Sequence, residues 1–405
     1  MKILVLNAGS STLKSCLYAI EAPLPERASA PLWEAAVDGA QLKVRTSRDA
    51  EAEADLGEAT LSSGSPEPMA RMLATLCSGP TQVLESLAEI EMVGHRVVHG
   101  GRTYFEATRV DAQVKAEIAR LADLAPAHNP AALRGIEAIE KLLPYVPQVA
   151  VFDTAFHHKM PDAAALYPGP YEWVEQGIRR YGFHGINHGY CAGRAAQVLG
   201  RELPSLRLIS CHLGNGCSLA AIRGGLSVDT TMGFTPLEGL MMGTRSGSID
   251  PGLLLYLLRQ GRGEEDLDRM LNRESGLKGI AGASGDMRAI ETAMARGDER
   301  AKLAFEMYVH RVRSHIGMML ASLGGLDALI FTAGVGEHSA QLRAEACEPF
   351  GFLGLELDAA KNQSNPLDED ISTSQSRVRV LVLQAQENWA IAQECCKLAK
   401  QAELS

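Results

Sequence analysis

Two stretches of this chain repeat one pattern: "ILVLNAGSSTLKSCLY" from residue 3 and "LISCHLGNGCSLAAIR" from residue 208. Each reads as an apolar strand, a short Gly-bearing loop and a second strand, with Asn7 opposite His212, Gly9 opposite Gly214 and Ser10 opposite Asn215. A duplicated unit of this kind restricts the chain to two related α/β domains, each presenting a loop able to receive an anion. Over so short a span the pattern by itself leaves chance similarity open. Length agrees with duplication, because 405 residues exceed what one hydrophobic core usually serves.

Strand and helix signals alternate along most of the chain, the mark of α/β architecture. Strands are expected at residues 2–7, at "KSCLYAI", "MVGHRVV", "PQVAVFD", "LRLISCHL", "CSLAAIR", "ALIFTAG" and "RVRVLVL". The longest helix is expected over 299–323, and an amphipathic helix over about 387–401 closes the chain. Residues 22–70 are polar and rich in Ala and Glu, with "SSGSPEP" at 62–68 a loop, and no motif explains them.

A formal charge of −10 argues against nucleic acid or an anionic membrane as partner. The longest apolar run, "PGLLLYLL", falls far short of the roughly 20 residues that span a bilayer. The N-terminus enters a strand without a basic stretch or a cleavage site, which leads to the expectation of a cytoplasmic protein. Eight cysteines without CxxC spacing read as reduced thiols rather than disulfides or a metal site.

In the first loop, Gly9 would let backbone amides approach an anion, Ser10, Ser11 and Thr12 add hydroxyls, and Lys14 adds a charge. Asn, Gly and Ser also make ordinary hairpin turns, so the loop alone supports both readings. A third glycine-rich stretch, "FTAGVGEHS" at 331–339, reads as a turn that packs against a flat ring, or as a strand-to-helix connection with Glu337 near the helix start. Arg96 stands in an apolar strand pattern and Arg245 in a loop of small residues; each is either half of a buried ion pair or a ligand clamp. His128, His184 and His188 read either way, although a single His in such a setting is more often a satisfied structural residue. Asp153 ends an apolar strand, a common place for a working carboxylate, and Glu387 heads the last helix, where an acid is favoured in any case.

Together "LNAGSSTLK", "GHRVVHGG", "LAPAHNP", "VFDTAFH", "YGFHGINH", "CHLGNGCS", "TMGFTPLEGLMMGTRSGSIDPG" and "FTAGVGE" resemble the acetate kinase family, in the family's order and over nearly the whole chain. This is a family of short-chain acyl kinases in the superfamily of actin, the heat-shock ATPases and sugar kinases. The resemblance implies two duplicated ribonuclease H-like (actin-like ATPase) domains with a nucleotide cleft between them. It places residues 1–152 plus 388–405 in one domain and 153–387 in the other, and implies a homodimer. The implied reaction is reversible, Mg²⁺-dependent transfer of the ATP γ-phosphoryl group to acetate, with Mn²⁺ as an alternative ion.

By the same resemblance Asn7, Ser10, Thr12 and Lys14 hold phosphate, as do His212, Gly214, Asn215 and Gly216 of the second loop. Asp286, Met287 and Arg288, with Gly334, Gly336 and His338, surround the adenosine. Arg96, Arg245, His184, His128 and Asp153 carry the chemistry, and Asn7 and Glu387 the metal. Val98, Ala127, Phe183 and Pro236 form the wall around the acetate methyl. Three departures from the family pattern stand out: Ala127 where Leu usually precedes the histidine, Ile186 and Asn187 where Thr and Ser are customary, and His338 in place of Asn. The first opens a reading as a propionate kinase and the last a relaxed choice of nucleotide. A non-catalytic nucleotide-binding switch of the actin-like fold is the reading from another class.

Overall fold

The computed structural model describes residues 1–8, 12–21, 23–25, 27–56, 66–126 and 128–404. Two compact units emerge, one formed by Met1–Ala155 with Gln386–Ser405, the other by Phe156–Ala385. These bounds put Asp153 and Glu387 in the same unit as Arg96.

The first unit is built on an eight-stranded sheet ordered β5-β4-β3-β2-β1-β6-β8-β7. Its strands are β1 (Lys2–Ala8), β2 (Thr12–Ala19), β3 (Trp33–Asp38), β4 (Gln41–Thr46), β5 (Glu51–Asp55), β6 (Met92–Val97), β7 (Thr108–Arg109) and β8 (Gln148–Phe152). β1 to β5 form an antiparallel meander, while β1, β6 and β8 run parallel. Ile3 to Leu6 of β1 are buried without interruption, as a strand covered on both faces requires. Leu4 and Leu6 pack with Trp33 and with Met72 and Leu76 of the helix Glu67–Cys77. The closing helix Glu387–Leu404 also packs on β1 and β6, so closely that a Cβ on Gly94 would lie 2.6 Å from Ile391 and 2.8 Å from Cys395.

The second unit carries a six-stranded sheet ordered β11-β10-β9-β12-β14-β13. Its strands are β9 (Arg207–Leu213), β10 (Cys217–Arg223), β11 (Leu226–Thr230), β12 (Ala328–Thr332), β13 (Glu369–Asp370) and β14 (Arg379–Val382). β9, β10 and β11 form an antiparallel meander, β9, β12 and β14 run parallel, and β13 is antiparallel to β14. With β1 matched to β9, the order and direction of strands repeat from one sheet to the other, even to the short antiparallel strand beyond the fifth. The duplication suggested by two loops thus extends to six strands of each sheet, with β4 and β5 added at one edge of the first.

The long helix Glu299–Leu323 falls on the expected residues. Asp298 caps it by accepting from the amides of Arg300 and Ala301, and Gly324 ends it with a left-handed φ of 66°. Residues 22–70 are a correction, since they contain β3, β4, β5 and the start of a helix. Only one face of β4 is buried, at Leu42, Val44 and Thr46, so its composition reads as polar. Residues 62–65 of the expected loop lie outside the described residues, whereas Glu67 and Pro68 open the helix Glu67–Cys77. The stretch after β12 is likewise helical, Ala333–His338, so Glu337 sits in its last turn rather than near its start. Among the described residues, no helix is long and apolar enough to cross a membrane.

Candidate active site

In the first unit the C-terminal ends of β1, β6 and β8 meet, the edge of a parallel sheet where ligands bind in α/β folds. Arg96 near the end of β6 donates from Nε and Nη2 to Oδ2 of Asp153, at 3.0 and 2.7 Å. Its Nη1 donates to Asn7 Oδ1 and to Glu387 Oε2, both at 3.4 Å. Two carboxylates around one guanidinium leave a net negative cluster. Asp153 is only 1% exposed, and its Oδ1 has no hydrogen-bond partner among the described residues. Burial raises the Asp153 carboxyl to about 6, opposed by Arg96 and assisted by Glu387. Burial works against the charge of Arg96, yet Asp153 and Glu387 outweigh it and push the guanidinium above its ordinary range.

Lys14 stands opposite Asn7 in the β1–β2 ladder and so shares its face. Thr12 and Lys14 are exposed on β2, while Ser10 and Gly9 lie outside the described residues, as does Ala127. His128 starts the helix Asn129–Leu142 without capping it through its side chain. The neighbouring Asn129 escaped the sequence reading. It is fully buried, accepts from the His99 amide at 3.1 Å and donates to the carbonyls of His99 and Ile118, tying the exit of β6 to this helix. Val98 in the same exit is buried.

The second unit assembles a separate group. His184 occupies the left-handed region, φ 55° and ψ 22°, where a non-glycine residue is strained, and it does so at the start of the helix Gly185–Leu199. Its ring stacks on His212, with centroids 4.0 Å apart and planes 12° from parallel. Asn187 donates to His212 Nδ1 at 2.8 Å, and Ser218 lies 2.9 Å from His184 Nδ1. A Cβ added to Gly216 would stand 3.5 Å from Arg245 Nη1 and 3.6 Å from His184 Nε2, so Gly216 keeps open the space that both face. Gly214, by contrast, is not among the residues with positive φ. It therefore does not serve the turn through a left-handed backbone; a Cβ there would press on the Gly216 carbonyl at 3.3 Å.

Arg245 is half-buried and donates to the Pro236 carbonyl at 3.2 Å, but no carboxylate among the described residues pairs with it. Burial lowers its hold on the proton, with only Cys217 opposing. A desolvated guanidinium without a counter-ion is a receptor for an anion. Phe183 is buried, with its carbonyl 3.1 Å from His157 Nε2, so it supports the His184 turn from beneath.

A cavity of about 590 Å³ opens beside this group, lined by Gly214, Asn215, Asp286, Met287, Arg288, Gly334 and His338 among others. Its size suits a nucleoside. Gly334 has open space around its Cβ position, and Gly243 must lack a Cβ because Asn215 Oδ1 would stand 2.1 Å away. Gly336 is buried behind this wall. Thr244, from the same motif as Arg245, also lines the cavity, as do Leu277 and Glu291, which accepts from Ser339; no motif pointed to these last two, because they come from separate helices.

Three buried imidazoles, His95, His99 and His157, are each lowered to about 4 by desolvation. Unfolding returns them to about 6.5, so the unfolded chain binds more protons between these values. Their contribution to stability is complete above about 6.5 and is lost as pH falls towards 4, at most about 3 kcal/mol per group. Asp153, raised by burial, acts in the opposite sense. Urea midpoints are therefore expected to stay level from pH 7.5 to about 6.5 and to fall from there to pH 4.5, and a profile flat throughout would contradict the neutral burial of these rings.

A family model described as the acetokinase family matches residues 2–393. An acetate kinase of Nostoc punctiforme is 60% identical, with 99% of this chain and all of the relative covered. An acetate kinase of Gloeobacter violaceus is 60% identical over 98% of each. Among solved structures, acetate kinase of Porphyromonas gingivalis superposes with a TM-score of 0.89 at 38% identity, covering 98% of this chain and 99% of that one. A propionate kinase of Francisella tularensis gives 0.88 at 36%, covering 97% and 98%.

Proposed function

Because this chain belongs to the acetokinase family, a family of phosphotransferases acting between ATP and acetate, we propose that Arg96, Arg245 and His184 carry the transfer of the ATP γ-phosphoryl group to acetate. The carrying observation is Arg245, a desolvated guanidinium without a carboxylate, facing the Gly216 opening together with His184 Nε2. An acetate carboxylate is ionised at neutral pH and needs no base to become a nucleophile. What opposes the reaction is repulsion between anions and charge on the moving phosphoryl group. Arg245 offers a planar pair of donors to those oxygens, Arg96 adds its charge and the N–H that its own partners leave over, and His184 adds another donor. His128 supports the same region, and Val98, Ala127, Phe183 and Pro236 remain the proposed surroundings of the acyl group.

The adenosine would occupy the cavity lined by Asp286 to Arg288, Gly334 and His338. Asn7, Thr12, Lys14, Ser10 and the loop His212 to Gly216 would bind the phosphates. The orphaned Asp153 Oδ1 and the excess negative charge around Arg96 fit Mg²⁺, which takes hard oxygen ligands from few carboxylates and completes its shell with phosphate and water. Glu387, Asn7 and Asp153 would hold it, and it would supply charge neutralisation at the phosphates. Mn²⁺ would serve the same donors. The cytoplasm is the proposed compartment, in keeping with eight cysteines that form no disulfide among the described residues.

ATP-dependent trapping of the acyl phosphate as a hydroxamate tests the reading, with acetate, propionate and butyrate compared and Mg²⁺ supplied or chelated. Acetate is expected to give the strongest Mg²⁺-dependent signal, with propionate within about 10- to 200-fold, the worth of one methylene. No signal from any acid would sink the assignment.

We further propose a homodimer. The helix Pro251–Arg259 has no buried residue and exposes Leu253, Leu255, Tyr256 and Leu258. Such an apolar surface suits a second copy of the chain. Sedimentation is expected to find a dimer that Leu255→Glu with Leu258→Glu converts to monomer; a monomeric parent would reject this.

A further inference from the structure

A buried chain of hydrogen bonds runs behind His184. Ser210 Oγ on β9 lies 2.9 Å from His188 Nδ1, His188 Nε2 lies 2.8 Å from Ser218 Oγ on β10, and Ser218 Oγ lies 2.9 Å from His184 Nδ1. Ser210, His188 and Ser218 are all fully buried. We propose that Ser210, His188 and Ser218 form a one-way relay that holds the His184 imidazole in the tautomer with its proton on Nε2, which makes them positioning residues for phosphoryl transfer.

The direction follows from Ser210. His188 Nδ1 is its side-chain hydroxyl's one hydrogen-bond partner among the described residues. A buried hydroxyl proton without an acceptor is costly, so Ser210 donates and His188 Nδ1 accepts. Burial holds His188 well below its ordinary value, with the neighbouring rings of His157 and His212 acting in the same direction, so the ring is neutral. With Nδ1 accepting, its single proton is on Nε2, which donates to Ser218. The Ser218 proton then has one acceptor left, His184 Nδ1, and His184 must carry its own proton on Nε2. That is the nitrogen beside Gly216 and Arg245 Nη1.

The reverse tautomer would turn a lone pair towards the phosphoryl oxygens. Orienting partners of this kind change activity by about 10- to 100-fold elsewhere. The inference rests on the reading of His184 as a donor to those oxygens, and its test separates the two ideas.

Two-bond proton–nitrogen correlation spectra of the full protein labelled with [15N]histidine report the tautomers directly. In the parent protein, His184 and His188 are both expected to carry the proton on Nε2. In Ser218→Ala, His184 is expected to become a tautomer mixture, with kcat lower by about 10- to 100-fold and KM for ATP little changed, and Ser218→Thr should restore both. If Ser218→Ala fails to fold, the parent spectrum still decides. A proton on Nδ1 of His184 in the parent, or an unchanged His184 in folded Ser218→Ala, overturns the relay. Full activity of His184→Ala beside an Nε2–H spectrum would instead overturn the role given to His184 and leave the relay standing.

Discussion

Arg96→Ala is expected to lose phosphoryl transfer by about 10³-fold or more and to destabilise the first unit. The first effect removes charge-matched donors from a reaction whose barrier is largely electrostatic. The second comes from Asp153, which is 1% exposed and would keep its carboxyl buried without the guanidinium that now binds one oxygen twice. Breaking such a pair costs 3–5 kcal/mol when fully buried; with Arg96 18% exposed, about 2 to 3 kcal/mol is expected. Arg96→Ala with Asp153→Asn should recover stability without recovering activity. Nucleotide binding should persist in both, since the cavity assigned to adenosine lies in the second unit. Retained transfer in folded Arg96→Ala would remove Arg96 from the transfer chemistry.

Arg245→Ala is expected to lose a comparable factor, about 10³-fold in kcat, with no loss of stability. Here the reasoning runs the other way, because no carboxylate among the described residues is left unpaired by the change. Removing a desolvated cation without a counter-ion relieves a cost, so the urea midpoint should stay level or rise. Arg245→Lys should recover little, because an ammonium lacks the planar pair of donors. A marked fall in stability for Arg245→Ala would show that the side chain serves the fold rather than an anion.

How much of this was legible beforehand depends on whether the signal was local. β1, β2, β9, β10, β12 and β14 lie where continuous apolar runs placed them, because strands buried on both faces leave that mark in the chain. β4 and β5 did not, since a strand buried on one face or hardly at all reads as polar. The glycine stretch at 331–339 took the second of its two readings, a strand-to-helix connection, but the helix starts at Ala333, in the left-handed region at φ 63°, so Glu337 falls in its last turn. Asn187, noticed only as a departure from the family pattern, proved to hold His212 in place.

The sequence by itself determined the family and the identity of the charged residues and pointed to the duplication, because strands, loop glycines and a full set of ordered motifs are written in consecutive residues. Only the tertiary structure decided what those charges do to one another. Residues 7, 96, 153 and 387 are brought to one guanidinium by β1, β6, β8 and the closing helix. Among the described residues Arg245 has no such partners. Both are arginines in apolar surroundings, and the energy that separates an ion pair from an anion receptor depends on desolvation and on neighbours distant in the chain.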